Sequence, residues 1–230
     1  MRAILYDVHG NLGALEAVLG DAERAGARSF LLGGDYGAFG PEPVACVARL
    51  RALGDAATWI RGNWERWQAG PAAAPETEVV QGAAAAVAAA LGPDLVAELA
   101  ALPTRVTIDG TLYCHASPPS DMEPIAREED ADADDQLLAG VTERRVVFGH
   151  THVQFRRATT RGIELVNAGS VGLPFDGDTR AAYALVDDAG ALQLRRVAYD
   201  VEATAGALDA VGAPWATTTA ARLRAASFEL

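Results

Sequence analysis

The hydrophobic positions of this chain fall into short runs that alternate with longer amphipathic or alanine-rich segments. AILY (3–6) precedes a segment predicted to be helical from Leu12 to about Ala25. SFLL (29–32) precedes PEPVACVARLRAL (41–53), whose prolines suit the first turn of a helix. ATWI (57–60) is the next β-type run. Residues 81–91 (QGAAAAVAAAL) and 94–102 (DLVAELAAL) read as helices joined by a Gly-Pro turn. Strand–helix alternation of this kind predicts an α/β fold.

The second half changes character. RVTIDGTLYC (105–114) carries Asp109-Gly110 between two β-rich runs, a strong hairpin signal. RVVF (145–148), IELV (163–166), AAYALVD (181–187) and ALQLRRVAY (191–199) add strands, with Asp188–Gly190 as another tight turn. Helices are predicted over 200–211 and 215–226. Parallel βα units followed by antiparallel hairpins suggest two packed sheets with helices outside. No internal repeat is visible. The expectation is one domain over 1–230, with a small helical lid or insertion at about 69–103 that opens on an Ala/Pro-rich stretch.

Composition narrows the class. At 230 residues the chain can bury one sizeable core. No apolar run approaches the 18 or so residues of a membrane span, and MRAILYD does not read as a signal peptide. Cys46 and Cys114 are too few for a disulfide framework, so a reducing, cytoplasmic setting is expected. The net charge of −12 argues against wrapping a nucleic-acid polymer. Much of that charge is local. Residues 121–135 hold eight acids against Arg127 alone and read as a solvated loop and helix start, with a metal or partner site as the lesser alternative.

The candidate chemistry lies where the strand-type runs end. AILY leads to Asp7 and His9, SFLLGG to Asp35, ATWIRG to Asn63, TLYC to His115, RVVFG to His150 and His152, and IELV to Asn167. In open α/β sheets, ligands bind beyond the C-terminal ends of the strands. All four histidines of the chain sit at such ends. Isolated histidines are usually satisfied core or surface residues, but four placed beside Asp7, Asp35 and Asn63 point to a metal site. Imidazole, carboxylate and amide oxygen suit Mn, Fe, Zn or Ni. Seven ligands exceed one tetrahedral zinc and suit two ions about 3.5–4 Å apart, joined by a bridging group. A carboxylate can bridge; an imidazole rarely does.

In this order D-x-H (Asp7, His9), G-D (Gly34, Asp35), G-N (Gly62, Asn63), His115 and G-H-x-H (Gly149, His150, His152) resemble the calcineurin-like metallophosphoesterases. DVHGN (7–11), YGAFGPEP (36–43), HASP (115–118) and NAGSVGLPFDGD (167–178) look like the small bacterial and archaeal phosphodiesterase branch, some of whose members act on dinucleoside polyphosphates. The resemblance covers nearly the whole chain. It implies a four-layer αββα sandwich of two mixed β-sheets flanked by helices. It also implies two transition-metal ions, Mn foremost, with Fe, Ni and Zn open. One ion would be held by Asp7, His9, Asp35 and His152, the other by Asp35, Asn63, His115 and His150, with Asp35 as the bridge. Asp35, Asn63 and His115 then stand at the reacting centre, where a hydroxide spanning the ions attacks phosphorus, because bound metal lowers the pKa of water from 15.7 to about 7. The implied partner is a small phosphorylated substrate, a nucleotide among the candidates. Dimers are frequent among such proteins, so a homodimer is in view.

Gly10 and Asn11 lie at the start of the first helix, where Asn11 can cap it and free N–H groups can face phosphate. Asn167, with Ser170, reads first as a turn supporting the site and second as a substrate contact. One letter departs from the resemblance: a histidine usually follows the metal-binding asparagine, and here it is Trp64. Indole cannot supply a titrating proton. Since general acid catalysis is typically worth about 10²–10⁴-fold, the departure predicts phosphodiesters or phosphoanhydrides with good leaving groups. Glu65 reads equally as a partner orienting His115 or as a helix-start residue. Trp64 and Trp67 read as core aromatics or as a stacking surface for a base. The competing functions are a phosphomonoesterase or protein phosphatase, and a non-catalytic metal-binding scaffold of the same fold.

Overall fold

In the computed structural model, which describes residues 1–229, the chain forms ten strands and eight α-helices. The strands are β1 (Arg2–Leu5), β2 (Ser29–Leu32), β3 (Ala57–Trp59), β4 (Arg105–Ile108), β5 (Thr111–Cys114), β6 (Arg145–Phe148), β7 (Phe155–Ala158), β8 (Glu164–Asn167), β9 (Ala181–Val186) and β10 (Leu192–Val197). The helices are α1 (Leu12–Arg24), α2 (Pro43–Arg51), α3 (Asn63–Ala69), α4 (Glu78–Leu91), α5 (Pro93–Ala100), α6 (Ala131–Leu137), α7 (Val201–Val211) and α8 (Pro214–Ala225). One sheet has the order β10-β9-β1-β2-β3 and the other β4-β5-β6-β8-β7. Both are mixed. In each, three parallel strands (β1-β2-β3; β5-β6-β8) are extended by antiparallel neighbours.

The two-residue period of the strands sorts their side chains into layers. Ala3 and Leu5 of β1 face α1 and α2, while Ile4 and the following Tyr6 face the opposite sheet. Val146 and Phe148 of β6 pack outward with Leu137 of α6, while Val147 joins Ile4 and Tyr6 between the sheets. Strands buried on both faces read as continuous apolar runs, which is why AILY, SFLL and RVVF announced themselves so clearly. The αββα expectation holds. A separate cluster of Trp64, Trp67, Ala83, Leu208 and Trp215 joins α3, α4, α7 and α8. Among the described residues no single helix is long and apolar enough to cross a membrane.

Two sequence expectations need correction. Strand β7 was not foreseen, because QFRRA is polar and exposed on one side and gains its ladder only from pairing with β8. Helix α3 follows the helix-start reading of Glu65, although its extent has no periodic signal in the sequence. It is one turn or two long, begins at Asn63, and owes its start to Glu65 reaching back to the Gly62 N–H at 2.8 Å. The acidic stretch 121–135 is not simply solvated. Asp121 accepts from Arg61 at 2.8 Å and from both nitrogens of Arg66 at 2.7–2.8 Å, and buried Asp134 is gripped by Arg157 at 2.6–2.7 Å. The Asp121 pairs tie the segment to the β3–α3 connection and to α3, and the Asp134 pair ties α6 to β7.

The sheets are also joined by a polar stitch. The buried Tyr6 hydroxyl donates to the carbonyl of Val147 across the inter-sheet core, at 2.9 Å. Deleting a buried donor usually costs on the order of 1–2 kcal/mol. Tyr6→Phe should therefore lower stability by about that amount in urea unfolding, with an unchanged slope and unchanged secondary structure.

Candidate metal centre

Asp7, His9, Asp35, Asn63, His115, His150 and His152 converge at the C-terminal ends of β1, β2, β3, β5 and β6. Six of them form two tight groups, Asp7–His9–His152 and Asp35–His115–His150, within each of which one ligand atom per residue lies within 4.8 Å of the others. All seven are buried except His150, which is half-buried.

Their backbone is unusual. Asp7, His9, Asp35, His150 and His152 all have φ between 48° and 65°. Non-glycine residues rarely adopt this left-handed conformation, and sparsely populated conformations of this kind persist where the surroundings over-determine them. Here the loops after β1 and β2 are zipped together. Asp7 N donates to Gly34 O, His9 N to Asp35 O and Gly10 N to Tyr36 O, at 2.9–3.1 Å. Ser170 Oγ adds a bond to Asp7 O at 2.7 Å. Glu65 clamps the next loop: its carboxylate accepts from the N–H groups of Asp35, Tyr36 and Gly62 at 2.8–2.9 Å. It does not reach His115, whose Nδ1 donates instead to Gly33 O at 2.9 Å. The approach is close enough that a Cβ on Gly62 would lie 2.2 Å from Asp35 Oδ1, and one on Gly149 2.4 Å from Asp7 Oδ2.

The imidazoles are aimed by their outer nitrogens. His9 Nδ1 donates to Ala38 O at 3.0 Å and His152 Nδ1 to Leu173 O at 2.5 Å. Both inner nitrogens therefore present bare lone pairs, and they face one another 3.0 Å apart. Burial drives the pKa of His9 down to about 4 and that of His152 well below its ordinary value, so no proton fills the gap. Asp7 Oδ1 is buried with no partner and lies 3.6 Å from His152 Nε2. Asp35 Oδ2 is 3.9 Å from His9 Nε2 and 3.3 Å from His115 Nε2, between the two groups. His115 Nε2 also faces Asn63 Oδ1 at 3.0 Å. Such a cluster of buried imidazole, carboxylate and amide oxygen atoms could hold cations, and its mixture of imidazole and carboxylate suits transition metals.

Metal-free, the charges compensate among themselves. Burial opposes a proton on His115, but Asp35 and Asp7 outweigh it and raise its pKa to about 10. Burial, with Asp35 beside it, raises Asp7 to about 8. Burial also works against the Asp35 carboxylate, yet His115 holds its pKa below the ordinary range. Burial and then the neighbouring His115 lower His150 to about 4; the Met122 carbonyl from the acidic segment lies against its ring.

The site opens into a cleft of about 940 Å³ lined by His9, Asp35, Asn63, Trp64, His150 and His152 at its base. Trp64 and Trp67 are both packed into the α3/α4/α8 core, as the core reading has it, and both line the cleft wall. Trp64 stands edge-on to Phe39 at 4.5 Å and to Trp67 at 5.1 Å.

Three residues weighed as substrate contacts have their polar groups bonded within the protein, and the capping reading of Asn11 and the turn reading of Asn167 describe what they do. Asn11 caps α1 through the Ala14 N–H, accepts from Thr204 Oγ1, and donates to Gly172 O and the Tyr199 hydroxyl, so its polar atoms are spent. The N–H groups of Gly10 and Asn11 donate to Tyr36 O and Val8 O rather than facing the cleft. Asn167 is fully buried and bonded to Gly149, Thr151 and Gly169, holding the turn that carries His150. Sequence reasoning in turn missed Phe39, Phe175 and Arg222 at the cleft. The first two sit in quoted motif segments, YGAFGPEP and NAGSVGLPFDGD; Arg222 has no local signal.

The match of residues 1–189 is to the calcineurin-like phosphoesterase superfamily domain. The chain is similar to a protein of Methanocaldococcus jannaschii, 27% identical with 88% of this chain and 89% of that one covered. It superposes on the metallophosphoesterase of Sphaerobacter thermophilus with a TM-score of 0.81, 27% identity and 98% of both chains covered. A structure from Pyrococcus horikoshii also gives 0.81, at 19% identity, covering 93% of this chain and 95% of that one. The strand-end ligands, the two-sheet sandwich and these similarities agree, and the chain belongs to the calcineurin-like phosphoesterase superfamily.

Proposed function

We propose that the protein is a di-metal phosphodiesterase acting on small phosphodiesters or phosphoanhydrides with good leaving groups, dinucleoside polyphosphates among them. The observation that supports this most is the pair of unprotonated imidazole nitrogens, His9 Nε2 and His152 Nε2, facing one another 3.0 Å apart beside the unpartnered Asp7 Oδ1. In this reading Asp7, His9, Asp35 and His152 hold one ion and Asp35, Asn63, His115 and His150 the other, with Mn foremost. Metal bound there supplies a water of lowered pKa and neutralises phosphoryl charge.

The protein's own groups do the rest. Glu65 and the left-handed loops hold the ligands so that little reorganisation accompanies the reaction. Trp64 is the residue beside Asn63 at the cleft base, and its indole excludes water but transfers no proton. A leaving group must therefore depart without acid help from that position, which favours aryl oxides and nucleotide phosphates over alkoxides. The segment 69–103 contributes Pro75, Thr77, Val79 and Val80 to the cleft and serves as its lid. Both cysteines are buried free thiols, which suits a reducing cytoplasm.

Metal analysis of protein loaded with Mn²⁺ should find close to two ions per chain; a value near zero sinks the reading. Asp35→Asn should abolish hydrolysis of bis-aryl phosphate and lower the metal content. Trp64→His should raise the rate on esters with alkyl leaving groups by at least tenfold while changing aryl esters far less. Finally, Asp7 and His115 must give up protons to become ligands, with metal-free pKa values of about 8 and 10. Metal affinity should thus rise with pH through the range 7 to 9, and calorimetry in buffers of different ionisation enthalpy should detect proton release on loading. Affinity that is flat over that range contradicts the assignment.

A further inference from the structure

The walls of the 940 Å³ cleft differ in chemistry from its base. Above the metal-binding cluster the lining is aromatic: Phe39, Trp64, Trp67, Phe175 and Phe228. One line of contacts leads outward. The Phe175 ring stacks on His152 at 4.5 Å with 15° between the planes, Phe228 meets Phe175 edge-on at 5.5 Å, and the Arg222 guanidinium lies 4.1 Å from the centre of the Phe228 ring. Among the described residues Arg222 is the one arginine lining the cleft.

Arg222 is poorly provided for. Its Nε is buried with no hydrogen-bond partner, and burial lowers its pKa, with no carboxylate among the described residues close enough to offset it. Shortage of acids is not the cause, since the chain has 31 against 19 bases. Arg224, two residues along α8, is met by both Glu202 and Asp209 at 2.9–3.2 Å. A half-desolvated guanidinium without a counter-charge is costly, and a ligand anion would complete it in the bidentate geometry that arginine favours.

We propose that Arg222 binds a second anionic group, a phosphate or a carboxylate, at the outer end of an aromatic phosphoester whose scissile phosphoryl group sits at the metal cluster. The aromatic lining accepts the ring system between the two anions, and Arg222 sets which esters are preferred. This rests on the phosphoesterase reading of the cluster and adds the substrate class: aromatic compounds anionic at both ends.

The test uses non-hydrolysable phosphonates on the Mn²⁺-loaded protein, read by calorimetry. Phenylphosphonate and biphenyl-4-phosphonate carry one anion. Their para-substituted partners carry a second, as phosphonate in one arm and carboxylate in the other. Wild type should bind at least one two-ended probe about tenfold more tightly than its one-ended parent, and the arm that gains more identifies the anion. In Arg222→Met that ratio should fall to about one, and Arg222→Lys should retain part of it. Equal binding of one- and two-ended probes by wild type overturns the proposal, whatever the variants do, and so does a preference that survives in Arg222→Met. The two readings fail separately. Protein that hydrolyses diesters yet binds the probes equally keeps the phosphodiesterase reading alone. Protein that discriminates the probes through Arg222 but hydrolyses no diester keeps the anion site alone.

Discussion

Two imidazole nitrogens with bare lone pairs face one another 3.0 Å apart at the base of the cleft, and much of the surrounding structure serves to hold them there. Left to themselves His9 and His152 would rotate apart or take up a proton. Their outer N–H groups are fixed to the carbonyls of Ala38 and Leu173, and burial denies them the proton. Asp35 brings negative charge to the same spot, and Asp7 adds a second once its proton is lost. Two bare lone pairs held face to face beside these carboxylates are an arrangement suited to metal, and its cost is carried by the fold.

That cost is visible in the backbone. Five of the seven candidate ligands are left-handed, on loops that would relax if they were free. They are not free, because each loop is bonded to the next: the loop after β1 to the loop after β2, that loop to Glu65, and the turn carrying His150 to Asn167 and Asp7. Glu65 is central to this. A carboxylate buried beside Asp35 is unfavourable by itself, but three backbone N–H groups satisfy it, and in doing so it fixes the loops that carry Asp35 and Asn63. Close backbone approach then requires glycine at positions 62 and 149, which accounts for G-N and G-H in the sequence pattern.

Around this rigid base the cleft is apolar and aromatic, with acids kept mainly outside it. Trp64 belongs to both regions. It packs with Phe39 and Trp67, and it stands where a titrating histidine is the family's usual choice. In the proposed reading, the exchange of an acid for a hydrophobic wall leaves the reaction to positioning and charge neutralisation and favours leaving groups that depart without a proton.

The sequence alone determined the parts that follow from local periodicity and from counting. Strands buried on both faces appear as unbroken apolar runs, so AILY, SFLL and RVVF were legible, as was the Asp109-Gly110 hairpin. The candidate ligand residues were legible because each stands within a few positions of the end of such a run, and a strand end places a side chain near the sheet edge. Tertiary structure decided what depends on partners distant in the chain. β7 exists only through its pairing with β8, and Glu65 of α3 is fixed to the loop that carries Asp35. Asn11 and Asn167 look available in sequence, yet residues more than 15 positions away consume their hydrogen bonds. Arg222 joins the cleft of His9 and Asp35 from the far end of the chain. Hydrogen-bond satisfaction and burial are properties of the assembled core, and short-range pattern does not encode them.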